Sequence, residues 1–141
     1  MKPLPAPDPV TQFHWDAAAR GELMVQRCAA CGHHQFPPDI RCRACGGDRL
    51  GAARVSGRGA LYSFTISYRS VDPSFNESVP FVVALVELAE QPGLRLLTNI
   101  VGTDPDTLRI GMPLHAVFEE RGGMYIPQFT VDAASGEDPP A

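Results

Sequence analysis

The hydrophobic pattern of this chain changes character near residue 50. In the second half it reads as β-structure. Residues 59–69 (GALYSFTISYR) alternate, with Leu61, Ser63, Thr65 and Ser67 on one face and Tyr62, Phe64, Ile66 and Tyr68 on the other. Residues 80–88 (PFVVALVEL) form a near-continuous apolar run, the pattern of a strand covered on both faces. Residues 93–101 (GLRLLTNIV) follow after the turn-type cluster Gln91, Pro92 and Gly93, which predicts a hairpin. A second hairpin is predicted where residues 114–120 and 124–131 meet across Arg121, Gly122 and Gly123. Pro127 inside the last strand marks an edge or a bulge. Residues 103–111 read as a loop with one helical turn.

Before residue 50 the pattern is different. A proline-rich arm precedes residues 10–23 (VTQFHWDAAARGEL), which are compatible with a helix that sets Val10, Phe13, Ala17 and Ala18 on one side and is ended or weakened by Gly21. Phe13, Trp15, Leu23 and Met24 are large apolar residues in a segment too short to build its own core, so they predict a partner surface. Packing over the chain's own barrel is the competing reading. His14 is expected to be exposed or to dock. The domain organisation expected is an arm and helix over residues 1–23, a small ribbon over 24–52, a barrel over 53–131 and a disordered tail over 132–141. The fold class is mainly β: an N-terminal helix, a rubredoxin-like zinc ribbon and a five-stranded OB-fold barrel. Five strands with one helical turn before the fourth fit an OB-fold better than an SH3-like barrel or a sandwich fragment.

The ribbon is read from its cysteines. Cys28 and Cys31, then Cys42 and Cys45, form two Cys-x-x-Cys-Gly units. Zinc takes four thiolates as a tetrahedron, and two residues two apart in a tight turn supply one edge of it. The glycine after each pair permits a left-handed backbone that turns amides toward sulfur. Four thiolates close the shell, so the metal expected is structural zinc. Iron in a rubredoxin site uses the same ligands; the close spacing favours zinc. His33 and His34 follow the first pair and are expected at the surface or behind the ligands. Phe36 is expected to pack against the neighbouring module, and Pro37 and Pro38 to stiffen the returning segment.

Composition narrows the function. The chain has 141 residues, 44% hydrophobic and 20% charged, with a formal net charge of −4. The excess is acidic in the half that would form the barrel, which argues against a general nucleic-acid binder. No apolar run approaches a membrane span, and the N-terminus lacks a signal core, so a cytoplasmic location is expected. No nucleophile elbow, triad or phosphate loop is present in the sequence, and no residue is assigned a catalytic role. The alternative to a protein-binding role is a single-stranded nucleic-acid-binding OB-fold. In that reading Tyr62, Phe64 and Tyr68 stack bases beside Arg58 and Arg69, although core packing explains the same aromatic row.

Taken in order, GELMVQRCAACGHHQFPPDIRCRACGG, VSGRGALYSFTISY, VPFVVALVEL, LLTNIVG and RIGMPLHAVFEE resemble the zinc-ribbon/OB-fold proteins associated with acyl-CoA thiolases. The resemblance runs over roughly residues 11–131. It implies structural zinc on Cys28, Cys31, Cys42 and Cys45. It implies a non-catalytic accessory subunit of a thiolase-like acyl-CoA enzyme, an aldolase or thiolase including those of steroid side-chain degradation. Such a subunit is expected to stabilise its partner and to help bind acyl-CoA. Phe36, Arg41, Arg43 and Arg58 are the candidates for that contact, from their positions near the ribbon and the barrel entry. Where members carry arginine after the double proline this chain has Asp39, which departs from the pattern.

Overall fold

The proline-rich arm gives way to helix at a turn built on Asp8. Its carboxylate accepts the backbone N–H groups of Val10 and Thr11, each at 2.9 Å, while the Asp8 N–H donates to Thr11 Oγ1 at 3.1 Å. Residues 2–132 are described in this computed structural model; most of the expected tail, residues 133–141, lies outside them. The helix α1 spans Gln12–Ala19, shorter at both ends than residues 10–23. The cause at the C-terminus is Gly21, whose φ of +75° closes a Schellman motif: Glu22 N–H donates to Ala17 C=O and Gly21 N–H to Ala18 C=O.

Leu23 therefore opens a strand rather than ending a helix. Strand β1 (Leu23–Cys28) sits between β2 (His34–Gln35) and β3 (Leu50–Val55) in an antiparallel three-stranded ribbon sheet. The barrel follows: β4 (Arg58–Ser67), β5 (Phe81–Leu88), β6 (Arg95–Ile100), β7 (Pro113–Arg121) and β8 (Met124–Val131). It closes in the order β4-β5-β6-β8-β7, an OB-fold. The β5–β6 and β7–β8 hairpins fall where their turn residues predict them. Closure rests on a short parallel contact, Ile100 opposite Phe129, with Val101 N–H on Phe129 C=O at 2.9 Å. Because that contact is so short, the ladder does not reach Pro127, which has no N–H to give; there the Thr98 hydroxyl of β6 donates to the Pro127 C=O at 3.2 Å.

Two patterns differ from the simple alternation. A bulge between Leu61 and Ser63 shifts the phase of β4. Leu61 is buried, Tyr62 and Ser63 both face out, and Phe64 and Ile66 pack on the core. The aromatic row expected on one face of this strand is thereby divided. Tyr62 lies under the Arg95 guanidinium, 3.7 Å from its ring centre, and Tyr68 stands alone at 64% exposure. Strand β5 is apolar except for Glu87 yet alternates strictly, with Val82, Ala84, Val86 and Leu88 inward and Phe81, Val83, Leu85 and Glu87 half-buried outside.

Ribbon and barrel share one core. Leu23, Val25 and Val55 of the ribbon belong to the same buried cluster as Leu61, Leu88, Leu94, Leu114 and Phe129 of the barrel. The helix lies over β1 and β8 and buries His14, Ala17 and Ala18. His14 is 4% exposed, so of the two expected places it takes the docked one. Its Nδ1 lies 3.0 Å from Met24 C=O, and its ring meets Phe36 at 4.8 Å and Trp15 at 4.9 Å. That carbonyl fixes the Nδ1–H tautomer.

Gly59 marks the tightest approach in the barrel. A Cβ there would stand 2.6 Å from the Glu87 carbonyl oxygen and 2.8 Å from Val86 Cγ1. Gly59→Ala is expected to cost about 1–3 kcal/mol of stability in urea unfolding, because backbone must move. Gly51→Ala, which meets nothing within 4 Å, serves as the control. Equal midpoints for the two variants would show that β4 and β5 have slack at this point. A second expectation concerns pH. Burial holds the His14 pKa below 6.5, partly offset by the bond to Met24. Folding then favours the neutral ring, so its contribution is full above pH 6.5 and is lost as pH falls below that value toward the lower folded-state pKa. Thermal melts from pH 7.5 to 5 should lose less Tm in His14→Gln than in wild type. Identical slopes would remove His14 from the acid response.

Candidate metal centre and its surroundings

The two knuckles are near copies of each other. In the first, Gly32 N–H donates to Cys28 C=O at 2.8 Å and Cys28 N–H to His33 C=O at 2.9 Å. In the second, Gly46 N–H donates to Cys42 C=O and Cys42 N–H to Gly47 C=O, both at 2.8 Å. Gly32 and Gly46 hold φ of +80° and +78°, the left-handed turn for which glycine was read into the motif. The turn frees amides to face sulfur: Ala44 N–H reaches Cys42 Sγ at 3.3 Å and Gly47 N–H reaches Cys45 Sγ at 3.4 Å.

The four sulfurs fit zinc. Thiolates about 2.3 Å from a tetrahedral metal lie about 3.8 Å from each other. Cys28 and Cys45 Sγ are 3.7 Å apart, Cys31 and Cys42 Sγ are 3.6 Å apart, and all four lie within 4.8 Å of one another. Cys28 and Cys42 are buried, while Cys31 and Cys45 are exposed. The thiol pKa values reflect the same geometry. The Cys31 N–H pulls Cys28 down, and the Cys45 N–H pulls Cys42 down to about 7. For Cys31 the His33 N–H acts downward, but desolvation and the neighbouring sulfurs outweigh it and push the thiol up to about 11. Four thiolates leave no open position, so the metal's chemistry here is to hold the ribbon.

His33 and His34 are not in the sulfur cluster. The backbone of His34 is instead the junction between ribbon and barrel. Its N–H donates to Gln91 Oε1 at 2.9 Å, and its C=O accepts from Gln91 Nε2 at 2.8 Å. Gln91 sits in the β5–β6 turn, where it had been read only as a turn former. A second amide network holds the loop between the knuckles. Gln26 and Gln35, opposite each other on β1 and β2, are both buried. Gln35 Nε2 donates to Gln26 Oε1 at 2.7 Å and to Arg41 C=O at 3.1 Å. Gln26 clasps the Asp39 backbone with both amide atoms at 2.8 Å, and Gln35 Oε1 takes the Arg43 N–H at 2.8 Å. Buried amides without such partners would be costly, so these glutamines fix the loop. Only their place on a short amphipathic strand hinted at this in the sequence.

The residues proposed for acyl-CoA do not form one site. Phe36 turns inward and packs on the shared core and on His14. Arg43 donates to Pro37 C=O and lies 3.7 Å from the Asp39 carboxylate. Arg41 is exposed and bonds Gly46 C=O at 3.2 Å. Arg58 stands apart at the start of β4, paired to buried Asp132 at 2.8 Å. Phe36 and Arg43 line one groove and Arg58 another, and Gln91 and Pro92 border both. The four residues proposed for a partner also separate. Leu23 is 3% exposed within the core, which takes it off the surface. Phe13, Trp15 and Met24 are half-buried, with Phe13 facing a groove shared with Ile40 and Leu50.

Two family models match consecutive stretches of the sequence: the rubredoxin-like zinc ribbon domain of ChsH2 over residues 15–51 and its C-terminal OB-fold domain over residues 52–119. The chain belongs to the ChsH2 (DUF35) family. Among solved structures, a chain of the Ltp2-ChsH2(DUF35) aldolase superposes with a TM-score of 0.81 at 37% identity, covering 91% of this chain and 98% of that one. A DUF35 domain-containing scaffold protein of Methanothermobacter thermautotrophicus is 35% identical over 72% of this chain and 74% of its own length. The 3-oxo-4,17-pregnadiene-20-carboxyl-CoA hydratase alpha subunit of Mycobacterium tuberculosis is 36% identical over 84% of this chain but only 36% of its own length. The chain thus spans about a third of the length of the first curated relatives it matches. In the ChsH2 family the ribbon carries zinc, in agreement with the sulfur geometry here.

Cys42→Ser is expected to lose the one zinc per chain and to melt well below wild type, since metal binding here is folding energy. A chain of this size loses about 4 °C of Tm per kcal/mol. Metal analysis and melting curves test this. A variant that keeps stoichiometric zinc and the wild-type Tm would refute the ligand assignment.

Proposed function

We propose that this chain is a non-catalytic accessory subunit of a thiolase-like enzyme that acts on CoA thioesters, most simply an aldolase that cleaves a carbon–carbon bond. The observation that carries the reading is the match, over nearly its whole length, to the ChsH2 chain of an aldolase complex. The layout of this chain supports it. Several of its reactive or charged groups are tied into structure: His14 to a backbone carbonyl, the four cysteines to one another, Arg43 and Arg58 to carboxylates. The half-buried Phe13, Trp15 and Met24 offer apolar surface to a larger partner. The chain contributes a rigid, metal-pinned platform, and the partner contributes the nucleophile and the base. Residues 24–52 and 53–131 would act together in this role, because they share a core.

Co-expression with a thiolase-like protein encoded beside it tests the proposal. The pair is expected to co-purify in a fixed ratio. Cleavage of a β-hydroxyacyl-CoA should require both proteins. Robust turnover by this chain alone would overturn the accessory role, and failure of any thiolase-like protein to bind would overturn the partner class.

A further inference from the structure

The barrel has a second cavity, at the end remote from the ribbon. It holds about 310 Å³, at the lower bound for small-ligand sites. The loop after β4 covers it with Phe75, the β5 and β6 strands supply Phe81, Val82 and Ile100, and the β7–β8 hairpin supplies Glu119 and Arg121. Lys2 of the arm stands at the rim, its Nζ 5.6 Å from the centre of the Phe75 ring.

Arg121 is the unusual member. Its side chain is only 16% exposed, so water screens its charge poorly. One nitrogen, Nη2, pairs with Glu119 at 2.6 Å. Nη1 has a long contact, 3.4 Å, with the Pro3 carbonyl of the arm, and buried Nε has no hydrogen-bond partner among the described residues. A guanidinium has five donors; Nε is shut away from solvent, and Nη1, held only by that long contact, is the donor with room for a further acceptor. Glu119 Oε1 is shared between Arg121 Nη2 and Gln128 Nε2, the latter at 3.3 Å. Among the described lining residues, Lys2 and Arg121 against Glu119 leave one net positive charge beside an apolar wall.

We propose that this cavity binds a compact carboxylate monoanion, with its ring or branched alkyl body against Phe75 and Phe81 and an oxygen on Arg121 Nη1 in place of the Pro3 carbonyl. The apolar and aromatic wall selects a carboxylate with an apolar body over acetate or inorganic phosphate. The site does not depend on the acyl-CoA reading, since the ribbon grooves lie at the other end of β5 and β6.

Titration of the zinc-loaded full chain by amide NMR tests it, with sodium benzoate as probe, neutral benzamide as its isostere and inorganic phosphate as competitor. Benzoate is expected to shift the signals of Phe81, Gly102 and Gln128 saturably. Benzamide should bind at least about tenfold more weakly, the loss of one charge-assisted bond. Phosphate at equal concentration should not displace benzoate. Arg121→Gln should weaken benzoate by a similar factor and leave benzamide unchanged. Should that variant fail to fold, Lys2→Gln on the arm should weaken benzoate alone. Equal binding of benzoate and benzamide, displacement by phosphate, or absence of saturable shifts at these residues would each overturn the proposal.

Discussion

Four thiolates within 4.8 Å of one another form the constraint on which the ribbon depends. Each pair of like charges about 4 Å apart costs about 4 kcal/mol at an effective dielectric constant of 20, so the ionised set cannot exist without a cation. The protonation preferences of the set are already unequal: the Cys45 N–H draws Cys42 down to about 7, while desolvation and the neighbouring thiols outweigh the His33 N–H and push Cys31 up to about 11. A dication at the centre converts the repulsion into the strongest attraction in this half of the molecule. The residues around it supply little to replace it: a two-residue strand, two glycine turns and a loop held by glutamine amides.

The metal's influence extends beyond the ribbon because the ribbon is not a separate bead. Cys28 ends β1, whose Leu23 and Val25 sit in the barrel's core. Gln91 grips the His34 backbone from the barrel side with two hydrogen bonds, and Phe36 lies between the helix's His14 and that core. Zinc therefore orders β1, β1 orders the junction, and the junction seats α1. A scaffold needs this stiffness if it is to present one surface to a partner, because a hinge between ribbon and barrel would cost ordering entropy on every association.

Much of this was legible in the sequence, where local chemistry dictates local structure. The Cys-x-x-Cys-Gly repeats give the site and its backbone, and the clusters at residues 91–93 and 121–123 give the two hairpins. What escaped is non-local. The bulge at Leu61 and Ser63 answers to barrel closure, and no residue there advertises it. His14 looks like a surface residue until β1 brings the Met24 carbonyl to it. Gln26, Gln35 and Gln91 read as ordinary polar residues, yet each satisfies backbone that only the assembled fold brings near. Leu23 follows the helix's apolar pattern and is claimed by the strand because Gly21 turns the chain first.

The arginines carry the last step of the argument. A phosphate-binding surface needs cations whose charge is free, and of Arg41, Arg43 and Arg58 only Arg41 lacks a carboxylate partner among the described residues. The Asp39 carboxylate faces Arg43, while its backbone is held by Gln26. Asp132, only 8% exposed, holds Arg58 at 2.8 Å. For either arginine to reach a nucleotide phosphate, it would have to leave a carboxylate behind, and at Asp132 that carboxylate is largely removed from water. Any exchange of this kind gains little in net charge.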